Sequence, residues 1–249
     1  QLKDEENHID HTYLWDILKE GMQLNLLDCT LFLFQQIVVT SVRYYLASML
    51  IRIYPENPNE KAITQVVDIL QRDGVIIYPT DSVYAFGCSL RSTRAIERLR
   101  ALTGKQGNNF SIICADLSGI ATYARVDNPV FKLMKRNLPG PFTFLLNASS
   151  KVPDKYLERK KTVGIRIPDN RIPVALVEAL GYPLVTASVK TPENETEYTT
   201  DPSLLYELYG DRVDAVVDGG YGHIEPTTIV DCTGDEPEIV REGIGELIF

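Results

Sequence analysis

The chain has 249 residues, 44% of them hydrophobic and 24% charged, an ordinary composition for a globular protein of one large domain or two small ones. A formal net charge of −9 excludes a protein that coats nucleic acid through bulk positive charge, although a local basic groove depends on arrangement rather than totals. With three histidines, two of them in the first dozen residues, imidazole catalysis and a histidine metal centre are poorly served.

Residues 1–48 read differently from the rest. An acidic, polar opening precedes "LNLLDCTLFLFQQIVVTSVRYYLASM", which is apolar but interrupted by Asp28, Gln35, Gln36 and Arg43. A membrane-spanning helix needs roughly 20 mainly apolar residues. The best window, Leu24 to Val42, carries an aspartate and two glutamines, so insertion is disfavoured and no membrane role is expected. Regular patterning begins at Met49. Residues 1–48 are therefore read as an N-terminal extension dispensable for function, with an added interaction helix as the alternative, and 49–249 as one domain.

The first clear element after Met49 is "NEKAITQVVDILQRDG", with Ile63, Val66, Val67 and Leu70 at helical spacing and Gly74 as the stop. The strand Val75–Tyr78 follows and breaks into Pro79, Thr80, Asp81 and Ser82. "STRAIERLRALTG" is a second helix, capped by Ser92 or Thr93 and ended by Gly104. "FSIICADL" reads as a short strand and "DNPVFKLMKRNLPG" as a helix with Pro129 near its first turn. Gly140 lies between Pro139 and Pro141, where a side chain is expected to destabilise if φ is positive.

Next come the strands "FTFLLNA" and "TVGIRIP", separated by a polar loop without a helix, which predicts antiparallel pairing. The helix "RIPVALVEALG", the strand "PLVTASV", the capped helix "DPSLLYELYG" and the strand "VDAVVDGG" lead to "TTIVDCT" and "EIVREG". Helices and strands intermix without strict alternation. The expectation is a single α/β domain around a twisted, mixed parallel/antiparallel sheet.

The standard nucleotide motifs are missing. Thr103-Gly104-Lys105 resembles half a P-loop, but Leu99 stands at the leading glycine and Gln106 at the required Ser/Thr. "GGYGH" at 219–223 opens onto Pro226 and a strand rather than a helix, and no G-x-S-x-G elbow occurs. Cys29, Cys88, Cys114 and Cys232 have no metal-ligand spacing; reduced thiols in the cytoplasm are the preferred reading.

What remains is a set of polar strand ends. Thr80, Asp81, Ser82 and Tyr84 follow the strand Val75–Tyr78, and Thr143 sits at the start of "FTFLL". Arg166 occupies a strand interior, where an unpaired guanidinium is costly. Thr186 and Ser188 share one face by the period of two, and Arg241 ends "EIVREG". Singly, each reads as a turn former or ion-pair partner, and for Asp81 and Ser82 that reading is preferred. Jointly they suit a cleft for a polyanion and a small polar molecule. Lys132, Lys135 and Arg136, and then Lys151, Lys155, Arg159, Lys160 and Lys161, form two basic groups that would have to share a face to track RNA.

In this order "GVIIYPTDSVYAFGC", "LPGPFTFLL", "VGIRIPDN", "PLVTASV", "PTTIVD" and "REGIG" resemble the YrdC-like domain proteins, from Met49 to the C-terminus. "DNPVFKLMKR", "TTDP" and "DGGYG" bring the chain nearer the YciO branch. The resemblance implies a twisted α/β fold with a large concave cleft, and members that bind double-stranded RNA. It also implies L-threonylcarbamoyladenylate synthesis: threonine, bicarbonate and ATP, with Mg2+, give threonylcarbamoyl-AMP and pyrophosphate on the way to the t6A modification of tRNA. By motif, Thr80 and Tyr84 would line the threonine site and Thr143 the cleft floor. Arg166 and Arg241 would face the phosphates, and Thr186 and Ser188 would hold threonine and ATP.

Two elements depart from the synthase pattern. In place of Lys-x-Arg the chain has "LTGKQGNNF", with Lys105 its lone cation, and Lys190 replaces the asparagine of Ser-x-Asn. Lys105 and Lys190 are both assigned to ATP binding, Lys190 as a substitute phosphate contact. The leading expectation is a nucleotidyltransferase of the synthase type with weak activity. The alternative is a double-stranded RNA-binding protein of the same fold with reduced or lost catalysis.

Overall fold

Short polar side chains set where the helices begin. In the computed structural model, which describes residues 49–104, 110–153, 161–189 and 200–249, six helices open on such a cap. Asn59 Oδ1 accepts the Ala62 N–H at the start of α1 (Glu60–Gln71). Ser92, rather than Thr93, caps α2 (Thr93–Thr103), and Gly104 closes it at φ 62°. Asp127 caps α4 (Asn128–Asn137), Asn170 caps α5 (Arg171–Leu180) and Asp201 caps α6 (Pro202–Tyr209). A helix the sequence reading passed over, α3 (Leu117–Tyr123), starts at Asp116, inside what read as the tail of a strand.

The strands are β1 (Met49–Arg52), β2 (Val75–Tyr78), β3 (Ala85–Ser89), β4 (Ser111–Ile113), β5 (Ala124–Arg125) and β6 (Phe142–Ala148). They continue with β7 (Thr162–Arg166), β8 (Leu184–Ser188), β9 (Ala215–Asp218), β10 (Thr228–Asp231) and β11 (Glu238–Arg241). They form one mixed sheet in the order β1-β9-β2-β3-β8-β4-β7-β6-β10-β11, with β5 on β6. The pairing of β6 with β7 is antiparallel, as the polar loop between them predicts. Parallel pairs join β1 to β9, β9 to β2, β4 to β7 and β6 to β10.

Register divides the sheet into two unlike faces. On one, Ile77, Phe86, Cys88, Ala187, Ile112, Ile165, Phe144 and Val230 join a single apolar cluster with α2, α4 and α6. On the other, α1 and α5 cover β1, β9, β2 and the nearest ends of β3, β8 and β4, through Val66, Leu70, Ile172 and Leu176 against Ile76, Val217, Ala85, Leu184 and Ile113. A fully buried aliphatic side chain of this kind contributes about 1.5–3 kcal/mol. The rest of the second face carries hydroxyls, glycine and arginine.

Gly140 corrects one expectation. Its φ lies outside the left-handed region, but an added Cβ would stand 2.6 Å from the Asn137 carbonyl oxygen, so the position is closed by contact rather than by backbone angle. The described residues fall within one compact unit, Ala47–Phe249. The expectations for residues 1–48, Lys105 and Lys190 lie outside the described residues. Among those residues no helix is long and apolar enough to cross a membrane.

Candidate active site

The half-face outside the reach of α1 and α5 is built by β-register. Gly87, Thr186, Ser111, Gly164 and Leu145 lie in one row across β3, β8, β4, β7 and β6. Residues directly opposite in a ladder share a face, and so do those two apart along a strand. Ser188, Arg166 and Thr143 therefore stand on the same face as that row. Thr143 is opposite Ile229, which is opposite Arg241, and this carries the face to the sheet edge. Residues from Gly87 to Arg241 thus meet on one surface.

Arg166 is the charged centre. Its Nη2 lies 2.8 Å from Asp81 Oδ1, 3.1 Å from Ser82 Oγ and 3.4 Å from Thr80 Oγ1. The loop that follows β2 is itself folded into shape by Thr80, whose Oγ1 accepts the Ser82 N–H and donates to the Val83 carbonyl. Asp81 Oδ2 accepts the Asp169 N–H at 2.9 Å, tying that loop to the start of α5. Asp81 is thus an ion-pair partner, as its residue type suggested. Arg166 Nε is buried and has no hydrogen-bond partner among the described residues. A buried donor without an acceptor is costly.

Two hydroxyl pairs flank the guanidinium. Tyr78 Oη donates to Thr186 Oγ1 at 2.7 Å, and burial pushes the phenol up to about 12. Thr143 Oγ1 and Thr227 Oγ1 are 2.9 Å apart. Arg241 bonds the Thr227 carbonyl through Nε and Nη2, at 3.1 and 2.7 Å. Desolvation first, and the charge of Arg166 second, hold Arg241 below the ordinary arginine value. Among the described residues Asp81 is paired with Arg166 and Arg241 has no carboxylate partner. Arg166 is thus balanced by Asp81, while the charge of Arg241 is not balanced by an ion pair among the described residues.

Tyr84 is placed elsewhere. It is fully buried, its Oη donates to the Gly220 carbonyl at 2.7 Å, and it accepts the Gly219 N–H at 3.2 Å. It therefore braces the loop after β9 and does not join the hydroxyl row, and burial raises its pKa strongly. Ser111 and Thr227, which the sequence reading passed over, do belong to the polar face; only long-range register brings them there. The thiols of Cys88, Cys114 and Cys232 are buried and shifted upward by that burial, so none is poised as a nucleophile. No cluster of three or more His, Cys, Asp or Glu residues suited to a metal ion occurs among the described residues.

The Sua5/YciO/YrdC family model, described as "Telomere recombination", matches residues 68–243. The chain belongs to this family. It is 44% identical over 198 residues to the Escherichia coli (strain K12) protein named "Uncharacterized protein YciO", covering 78% of this chain and 95% of the relative. A crystal structure of E. coli YciO superposes with a TM-score of 0.76 at 43% identity, covering 80% of this chain and 97% of that one. A protein of Thiobacillus denitrificans named threonylcarbamoyl-AMP synthase is 33% identical over 167 residues, 65% of this chain and 86% of its own length. The fold and the family resemblance read from the motifs are both found.

Within this family member the polar face offers distinct chemical capacities at its two ends. Toward β11 the face carries two guanidiniums, the buried Arg166 paired with Asp81 and the exposed Arg241. Toward β8, Ser111, Thr186 and Ser188 present neutral hydroxyls that both donate and accept. No basic nucleophile stands between them among the residues described. Such a surface acts by orienting reactants and stabilising charge.

Proposed function

We propose that the protein is a nucleotidyltransferase of the threonylcarbamoyl-AMP synthase type, working in the cytoplasm toward the t6A modification of tRNA. The threonine amine takes up bicarbonate, with loss of water, to form a carbamate. A carbamate oxygen then attacks the α-phosphorus of ATP, and pyrophosphate leaves. The observation that carries this reading is the register that sets Arg166 and Arg241 on one face of the sheet beside a row of hydroxyls, which suits a triphosphate next to a small zwitterion. The synthase named above, 33% identical to this chain, supports the same reaction.

The residues act by position and charge. The exposed Arg241 would meet phosphate oxygens, where charge moves as the phosphoanhydride breaks, and the buried Arg166 would add its charge from the same face. Asp81 holds the Arg166 fork in place. Thr143 borders the floor between them, while magnesium arrives on the triphosphate as part of the substrate. Tyr84 contributes through the loop it braces rather than by touching threonine.

An RNA-binding reading draws less from this arrangement. Lys132, Lys135 and Arg136 lie on α4, whose buried side packs against the apolar face of the sheet, opposite the polar half-face. Among the described residues these three cations and the two site arginines therefore lie on opposite sides of the sheet.

The test is direct product detection. The full chain is incubated with Mg-ATP, threonine and 13C-bicarbonate, and the mixture is analysed by mass spectrometry. Labelled threonylcarbamoyl-AMP is the expected product. Its absence, with ATP intact, rejects the reaction.

A further inference from the structure

We propose that Ser111 contacts the amino-acid substrate and sets its affinity; the inference rests on the synthase reading of the same site. Ser111 lies directly opposite Thr186 on one side and Gly164 on the other, at the centre of the polar row. Its side chain leans over Gly164: a Cβ at that glycine would stand 2.5 Å from Ser111 Oγ and 3.2 Å from Thr143 Cγ2. The glycine thus makes room for the serine hydroxyl on the floor instead of filling the space itself.

The hydrogen bonds single this serine out. On the polar face Thr186 already accepts from Tyr78, Thr143 is joined to Thr227, and Thr80 and Ser82 are bound to Arg166. Ser111 and Ser188 are half-buried, and their hydroxyls have no protein partner among the described residues. With the hydroxyl of Thr186 beside them on the same face they form a neutral patch that can satisfy a carboxylate, an ammonium or a hydroxyl. That is the chemistry of an amino-acid zwitterion, whereas the triphosphate is matched by the arginines two rows away. Ser111, on the strand beside that of Arg166, is the member of the neutral patch next to the arginines, where the amino acid must lie for its carbamate to reach the α-phosphorus.

Two readouts separate this inference from the function it rests on. L-Threonine binding to the full chain is measured by calorimetry, and threonine- and ATP-dependent pyrophosphate release by steady-state kinetics, for the wild type and Ser111→Ala. Removing a hydrogen bond to a charged group should weaken threonine binding about 10- to 100-fold and raise its KM to match, leaving the KM for ATP within about twofold. The thermal midpoint of Ser111→Ala reports whether the variant is folded. Equal threonine affinity in both proteins, or an equal rise in both KM values, overturns the role of Ser111 and leaves the synthase reading standing. If the wild type binds threonine but releases no pyrophosphate, the synthase reading falls and the binding comparison alone decides the serine. A wild type that neither binds threonine nor turns over overturns both.

Discussion

Arg166 and Asp81 form an ion pair that the fold almost completely buries: Nη2 and Oδ1 are 2.8 Å apart, and the two side chains are 4% and 6% exposed. The pair joins the loop after β2 to β7, and through the Asp169 N–H to the start of α5. Removing one partner strands the other charge in a poorly solvated place, at a cost of about 3–5 kcal/mol. Asp81→Ala should lose stability on that scale in urea denaturation. A variant as stable as the wild type would mean that water reaches Arg166 freely.

Gly140 makes a steric prediction. Gly140→Val directs its Cβ at the Asn137 carbonyl oxygen, 2.6 Å away, at a backbone atom that cannot swing aside. Overpacking of this kind costs about 1–3 kcal/mol. The thermal midpoint should fall accordingly, and an unchanged midpoint would show that the turn before β6 relaxes without penalty.

Tyr84 is expected to act through the backbone. Tyr84→Phe removes the partner of both the Gly219 N–H and the Gly220 carbonyl, worth about 1–3 kcal/mol if they are left buried and unpaired. Amide exchange at Gly219 should accelerate well beyond that of the sheet. Unaltered exchange would contradict the bracing role.

Alkaline pH should destabilise the protein in a defined window. Burial raises Tyr78 from 10.0 to about 12, Cys114 from 9.0 to about 12 and Cys232 from 9.0 to about 11. In each case the folded state holds its proton more tightly than the unfolded chain. The associated stability is complete below pH 9 and is lost as pH rises toward 12. Tyr78 alone accounts for about 3 kcal/mol of this. In denaturation curves collected from pH 8 to 12, Tyr78→Phe should flatten the part above pH 10. A slope unchanged by the substitution would assign the loss to other groups.

Much of the fold was legible because its signals are local. Val75–Tyr78 reads as a strand from its apolar run, and Asn59, Ser92 and Asp127 announce helices through side chains that reach their own first turn. β3 was not read, because it is buried on both faces and interrupted by Gly87, and so shows no alternation. α3 was hidden by its length, a mere seven residues behind Asp116. At the site, Thr186 and Ser188 reveal a common face through the period of two, and a strand arginine signals a partner. Ser111 and Thr227 carry no such mark. They become site residues when β4 pairs with β7 and β8, and when β10 pairs with β6. Tyr84 looked like part of a hydroxyl run because its partners, Gly219 and Gly220, lie more than 130 residues away.

The central claim is that the two arginines and the hydroxyl row seat ATP and threonine together. Pyrophosphate release, measured with ATP and bicarbonate in the presence and absence of threonine, on the wild type and on Arg241→Gln in parallel, tests it most directly. The account predicts release by the wild type that depends on threonine, and at least about a 10-fold slower rate in the variant. No threonine-dependent release by the wild type, or equal rates in the two proteins, would contradict it.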